Sequence, residues 1–94
     1  MITARQSIAA QRFQRDGFCL TSSLIPSPLI EQAVQRMDAV MTGECTTGIE
    51  PTWCWRPGDD PNCLRKIDQV HLSDPILAMV AAHPEIGRWA AAIT

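Results

Sequence analysis

The spacing of apolar and polar positions predicts a first helix over residues 4–15. Thr3 and Gln6 have the spacing of a capping box, in which each side chain satisfies a backbone N–H of the other. Gly17 ends the segment, because glycine readily adopts the left-handed conformation that closes a helix. The apolar stripe is narrow, which predicts a helix packed along one edge; it comprises Ile8, Ala9 and Phe13.

The strongest helical period in the chain follows Ser27 and Pro28, a serine cap with proline at the first helical position. Apolar residues recur at helical spacing as far as Met41, and Gly43 ends the helix. One face of this helix is therefore expected to be buried. The stripe comprises Ile30, Ala33, Val34, Met37 and Met41.

Two further helices are predicted near the C-terminus. Asp74 before Pro75 is another cap followed by proline, and Pro84 interrupts the apolar run that follows and starts a new helix after His83. The last helix carries an apolar stripe made by Ile86, Trp89, Ala90 and Ile93. The sequence reaches Thr94 within this pattern, so we expect the stripe to pack against the helix carrying Ile30, Val34 and Met37, to pack against a second subunit, or to remain exposed.

Two short segments have β-favouring composition. Residues 18–21 follow Gly17 directly, and residues 63–70 carry Leu64, Ile67 and Val70 with imperfect alternation. We expect them to pair as a small two-stranded antiparallel sheet. With about four helices, this predicts an α+β fold class.

Residues 43–62 are rich in glycine and proline and predict a long loop. Within it, Trp53, Trp55 and Arg56 are candidates for a substrate or partner surface, because tryptophan and arginine are enriched at binding hot spots. Burial of one or both tryptophans at the core edge is the alternative, since tryptophan is usually well buried.

The composition predicts one folded domain, residues 1–94. Hydrophobic residues make up 46% and charged residues 19% of the chain, which is enough apolar content to fold. The net charge is -2 and the basic residues are scattered, so we expect neither nucleic-acid binding nor an anionic membrane partner. No apolar run approaches a membrane span or a signal peptide, and we therefore expect a soluble cytoplasmic chain.

Metal binding and disulfides are not expected from the cysteines. A reducing compartment disfavours disulfides, and the closely spaced ligand pairs typical of structural zinc are missing among Cys19, Cys45, Cys54 and Cys63. They are better interpreted as small buried hydrophobic residues. His71 and His83 are interpreted as residues at element ends. Arg65 and Lys66 are interpreted as solvated or paired cations, although one of them could face a pocket in a longer relative.

Several short motifs together resemble the N-terminal portion of the phytanoyl-CoA dioxygenase family. They are Phe13-x-x-Asp16-Gly17-Phe18, Leu64-Arg65-Lys66-Ile67, Asp74-Pro75-Ile76-Leu77 and His83-Pro84-Glu85-Ile86. The resemblance implies an incomplete flank of a double-stranded β-helix fold. It also implies a full-length relative that uses iron(II) and 2-oxoglutarate.

The iron-binding His-x-Asp motif of that family is not present in this sequence. His71 is followed by Leu72, Ser73 and Asp74, and His83 is followed by Pro84 and Glu85. No distal histidine follows His83, so the two-histidine, one-carboxylate set required for iron cannot be assembled. We therefore assign no catalytic, metal-binding or cofactor-binding residue, and we expect no cofactor for this chain alone.

Two functional hypotheses remain open. In the first, the chain is the N-terminal part of such an oxygenase and is not catalytic alone. In the second, it is a stand-alone small binding or oligomerisation module derived from that fold. Because the predicted helices present more apolar surface than two short strands can cover, either hypothesis predicts a homo-oligomer, most simply a dimer.

Overall fold

The computed structural model describes all residues, 1–94, and is helical throughout its regular structure. It contains no strand. The four α-helices are α1 (Ala4–Asp16), α2 (Ser27–Met41), α3 (Pro75–Ala81) and α4 (Pro84–Ile93), and a 3-10 turn covers Val70–Leu72. No helix has both the length and the apolar character needed to cross a bilayer.

The residues group into two compact units, which are described separately. Unit 1 comprises Met1–Pro26 and Ala82–Thr94, and unit 2 comprises Ser27–Ala81. Unit 1 therefore contains α1 and α4, whereas unit 2 contains α2, α3 and the long loop. The expectation that residues 1–94 form one domain stays a prediction.

In unit 1, the predicted boundaries of α1 and α4 are confirmed. The capping box of α1 is complete, with Gln6 N donating to Thr3 Oγ1 and Thr3 N donating to Gln6 Oε1. Gly17 ends α1 at φ 79°, in the left-handed region. At the start of α4, the His83 ring accepts a hydrogen bond from Glu85 N, and Pro84 occupies the first turn. The helix junction predicted at His83 is thus confirmed.

The apolar stripe of α4 is only partly covered within unit 1, although α1 and α4 pack together. Trp89 and Ile93 are half-buried, while Ile86 and Ala90 are exposed. On α1, the buried residues are Gln6 and Ala9. The packing between these helices therefore rests on few apolar side chains.

In unit 2, α2 and α3 pack around a core of Ala33, Val40 and Leu77. The buried face of α2 is rotated relative to the predicted stripe, because Val40 is fully buried whereas Ile30 and Val34 are exposed. Partly buried side chains complete the core: Met37, Cys45, Ile67, Val70, Ile76 and Val80.

The predicted two-stranded sheet is wrong, and with it the α+β fold class and the flank of a double-stranded β-helix. Residues 63–70 do not pair with residues 18–21. Ile67 instead forms a single antiparallel bridge with Cys54, inside the long loop. Gln69 then turns the chain at φ 58° into the 3-10 turn, which ends the extended segment after Asp68.

Residues 18–21 form no regular structure for a related reason. Phe18 and Leu20 are largely exposed, and only Cys19 is half-buried. A β-favouring sequence requires a partner strand for its backbone hydrogen bonds, and these residues have none. The composition of residues 18–21 is compatible with a strand, but no other segment pairs with them.

Candidate functional site

A polar cluster around one buried carboxylate joins α2, the start of the long loop and the start of α3. We call Arg36, Thr46 and Asp74 the Asp74 cluster. Asp74 is 1% exposed, and its Oδ2 lies 2.5 Å from Arg36 Nε and 3.2 Å from Thr46 Oγ1. A second guanidinium nitrogen of Arg36 donates to Thr46 Oγ1 and to Glu44 O. The cluster therefore fixes the chain that leaves α2 against the N-terminus of α3.

The other Asp74 oxygen caps α3, as the sequence predicted. Its Oδ1 accepts hydrogen bonds from the backbone amides of Ile76 and Leu77, at 2.9 and 3.3 Å. Burial by itself would raise the pKa of this carboxyl. The hydrogen bonds from Arg36, Leu77 and Ile76 outweigh burial and hold the pKa below its ordinary value. The fold thus stabilises the charged form of Asp74.

A second feature is the segment 53–68, which we call the Trp loop. Two backbone hydrogen bonds flank the Cys54–Ile67 bridge, from Trp55 N to Lys66 O at 2.9 Å and from Asp68 N to Trp53 O at 2.8 Å. The pairing brings cations onto the tryptophan rings. They are Arg65, 4.4 Å from the Trp55 ring centre, and Lys66, 5.4 Å from the Trp53 ring centre.

The three predicted surface residues have different environments within the Trp loop. Trp55 is only 7% exposed and its indole N–H donates to Asp60 O, so it belongs to the buried part of the unit. Arg56 is half-buried and donates to Met41 O at the end of α2. Trp53 is 42% exposed. Of the three, Trp53 alone offers an open aromatic surface, and a partner for it stays a prediction.

The two cations that lie over the tryptophan rings are also accounted for by contacts within unit 2. Lys66 lies 3.3 Å from the Asp68 carboxylate as well as over Trp53, and Arg65 stacks on Trp55. Lys66 thus forms an ion pair, whereas Arg65 forms a cation–π contact and no ion pair; the interpretation of Arg65 and Lys66 as solvated or paired cations stays a prediction. An exposed ion pair such as Lys66–Asp68 contributes about 0.2–1 kcal/mol, and an exposed cation–π contact such as Lys66–Trp53 contributes about 0.5–1 kcal/mol.

An apolar groove lies between α2, α3 and the 3-10 turn in unit 2. Its volume is about 330 Å³, and no polar atom contributes surface to it. The exposed side chains Ile30 and Val34 form its rim, and buried Leu77 lies at its floor. The remaining lining residues are Ala33, Met37, Val70, Val80 and Ala81.

The residues present do not fit an iron(II) site. His83 uses Nδ1 to cap α4, and His71 is exposed in the 3-10 turn. No group of three or more His, Cys, Asp or Glu side chains is arranged to hold a metal ion. The expectation that the chain alone carries no cofactor nevertheless stays a prediction.

The cysteines are free and differ in exposure. Cys63 is exposed, whereas Cys19, Cys45 and Cys54 are half-buried. Burial raises the pKa of the Cys54 thiol, and the nearby Arg56 only partly offsets this. Cys54 is therefore less reactive than an open thiol, in keeping with a packing role.

Sequence reasoning missed Arg36, the partner that makes Asp74 more than a helix cap. One signal was present: Arg36 lies three residues after Ala33 and four before Val40, which places it beside the buried face of α2. A long cation at such a position needs an acceptor, but the sequence does not say which of ten carboxylates provides it.

Comparisons with protein-family models, with curated proteins and with solved structures found no match for this chain.

Proposed function

We propose that this chain is the N-terminal helical part of an iron(II) and 2-oxoglutarate dependent oxygenase similar to phytanoyl-CoA dioxygenase, and that it is not catalytic alone. The observation that carries the proposal is the apolar groove of unit 2, an uncovered face of a kind that normally packs against more protein. The resemblance of the motifs to the phytanoyl-CoA dioxygenase family supports the proposal that an oxygenase of this kind supplies the protein that covers the groove. In this proposal the groove is covered by the catalytic part of the same enzyme, in the cytoplasm.

Three of the four motifs that carry the resemblance lie at the ends of helices, and the fourth, Leu64-Arg65-Lys66-Ile67, lies in the Trp loop. Asp16 and Gly17 end α1, Asp74 and Pro75 start α3, and His83 caps α4. These residues determine where helices begin and end. They are therefore consistent with a supporting role for this segment beside a catalytic part.

The proposal is tested by comparing the 94-residue chain with the native polypeptide that contains it. An antibody against the chain isolates the native polypeptide, which is expected to bind iron(II) and to consume 2-oxoglutarate in an oxygen-dependent reaction. The chain alone is expected to show no saturable iron(II) binding in titration calorimetry.

Two outcomes would contradict the proposal. The first is stoichiometric iron(II) binding by the 94-residue chain that is lost in His71→Ala or His83→Ala. The second is a native polypeptide that contains no more than this chain and consumes no 2-oxoglutarate.

A second candidate function is self-association, which the same groove favours when the chain is alone. Val34 is 57% exposed at the rim, and covering such a face by a second copy would remove apolar surface from water, at about 25 cal/mol per Å² buried. The chain would then act as a homodimeric interaction module, in line with the alternative that the sequence left open.

Introducing a charge at Val34 distinguishes a homodimer formed through the groove from a monomeric chain. Val34→Lys is expected to shift a dimer to monomer in sedimentation velocity, because a buried lysine at the interface would lose its hydration. Met79→Lys is the matched control, since Met79 is 55% exposed on α3 but does not line the groove. Equal sedimentation of the parent, Val34→Lys and Met79→Lys proteins would count against a dimer at this face.

A further inference from the structure

Unit 1 contains a cleft between α1, the segment that follows it and the side chain of Trp89 on α4. We call it the Arg cleft. Its volume is about 460 Å³, within the range of small-molecule sites, which run from roughly 300 to 1,000 Å³. Its lining residues are Arg5, Ile8, Ala9, Arg12, Leu20, Thr21, Ser22 and Trp89.

Unit 1 contains more cationic than anionic side chains, and only some of the cations form ion pairs. Four side chains are cationic, Arg5, Arg12, Arg15 and Arg88, and two are anionic, Asp16 and Glu85. Asp16 is held by two hydrogen bonds from Arg15, and Glu85 pairs with Arg88. Neither Arg5 nor Arg12 forms an ion pair. The two uncompensated cations of unit 1 are thus the two that line the cleft.

Arg12 acts on the Asp16 carboxylate through space. The Arg15 guanidinium is the main reason that the pKa of Asp16 lies below its ordinary value, and Arg12 adds a weaker effect of the same sign. Both Asp16 oxygens accept from Arg15, and Arg12 forms no ion pair with Asp16 or with any other carboxylate.

The two arginines lie on the same face of α1 with apolar residues between them. Arg5, Ile8, Ala9 and Arg12 follow one another at helical spacing, so the arginines are two turns apart, about 10 Å along the helix axis. Across the cleft, Trp89 provides an aromatic wall, and Thr21 and Ser22 provide hydroxyl groups. Cationic ends thus flank an apolar centre.

We propose that the Arg cleft binds an organic anion with a flat apolar or aromatic body, carrying carboxylate or phosphate groups at its ends. Guanidinium groups bind such oxyanions through paired, charge-assisted hydrogen bonds, and the ring of Trp89 packs against the body of the ligand. This site does not depend on the oxygenase proposal, because all of its residues belong to unit 1 and its test involves no iron.

The probe is naphthalene-2,6-dicarboxylate, with the uncharged naphthalene-2,6-dicarboxamide as its control. Binding is followed by the Trp89 indole N–H resonance, which a Trp89→Phe protein assigns. We expect a saturable shift with the dicarboxylate that weakens as salt is added, since exposed charges are screened. The dicarboxamide is expected to cause no saturable shift.

Substitutions on α1 provide the decisive comparison. Arg5→Gln and Arg12→Gln are each expected to weaken binding by about tenfold, the typical effect of removing a charge-assisted hydrogen bond. The control is Arg15→Gln, on the same helix but outside the cleft, combined with Asp16→Asn so that no released carboxylate can pair with Arg12; it is expected to leave the affinity unchanged. Glutamine and arginine have similar helix propensities, so all three variants keep α1.

Three results would overturn the proposal. One is equal weakening by Arg12→Gln and by the control that combines Arg15→Gln with Asp16→Asn, and another is equal binding of the dicarboxamide. The third is a Trp89 resonance that moves with protein concentration when no probe is present, which would show that a second copy of the chain occupies the cleft.

Discussion

Replacing Asp74 by alanine is expected to remove the cooperative unfolding of unit 2. The carboxylate is buried, pairs with Arg36 and Thr46, and caps α3. The Arg36 side chain is 29% exposed, so losing the ion pair and losing the cap of α3 are together expected to cost about 3–5 kcal/mol. That is most of the stability of a small unit, at roughly 0.05–0.15 kcal/mol per residue. Thermal and urea unfolding followed by circular dichroism would measure the loss.

Ser73→Ala is the matched control for Asp74→Ala. Ser73 is adjacent in sequence and equally buried, but its hydroxyl has no hydrogen-bond partner in the protein. Removing an unpaired buried hydroxyl leaves stability unchanged or raises it, by about 1 kcal/mol at most. A loss of stability in Ser73→Ala as large as that in Asp74→Ala would show that packing at this position, and not the ion pair, determines the cost.

The Asp74 cluster also makes stability depend on pH. Because the folded-state pKa of Asp74 is lower than the unfolded value of about 3.9, its contribution is fully present above that value. The contribution is lost as the pH falls through the folded-state pKa. Asp74→Asn is expected to show a smaller loss of stability on acidification below about pH 4 than the parent. An unchanged acid profile would mean that Asp74 is not stabilised in its charged form.

Leu77→Ala is expected to produce the second large loss of stability. Leu77 is 6% exposed, belongs to the core with Ala33 and Val40, and forms the floor of the apolar groove. Leucine-to-alanine changes in a core cost about 2–5 kcal/mol, from lost burial and from the cavity that remains. Urea unfolding would show a lower midpoint with an unchanged slope if the native fold persists.

Met79→Ala is the control for Leu77→Ala on the same helix. Met79 is exposed, and its replacement is expected to change stability by less than about 0.5 kcal/mol. If the two variants unfold alike, α3 does not contribute to the core of unit 2 in solution.

The helix boundaries could be predicted because their signals are local. Thr3, Gln6 and Gly17 act through backbone groups within one helical turn, and so do Asp74 and His83. Such contacts are determined by a few neighbouring residues, and the rest of the fold scarcely changes them. The same holds for the loop after α2, whose glycine and proline content excluded a regular element.

The pairing of β-favouring segments could not be predicted from local signals. Whether residues 63–70 meet residues 18–21 or residues 53–55 depends on which backbone groups the tertiary structure brings into hydrogen-bonding distance. The sequence contains candidates for both pairings, and β propensity does not choose between them. Gln69, in the left-handed region, then ended the segment without a glycine to signal it.

For the candidate sites, the sequence by itself determined which residues bear charge, aromatic rings or caps. It indicated Asp74 as a cap, and Trp53, Trp55 and Arg56 as a possible surface. Only the tertiary structure decided that Asp74 pairs with Arg36, that Trp55 is buried while Trp53 is open, and that Arg5 and Arg12 share a cleft with Trp89. The physical reason is the separation in sequence between the residues that interact. A cap involves residues a few positions apart, whereas an ion pair, a buried side chain or a cleft involves residues that are distant in the chain.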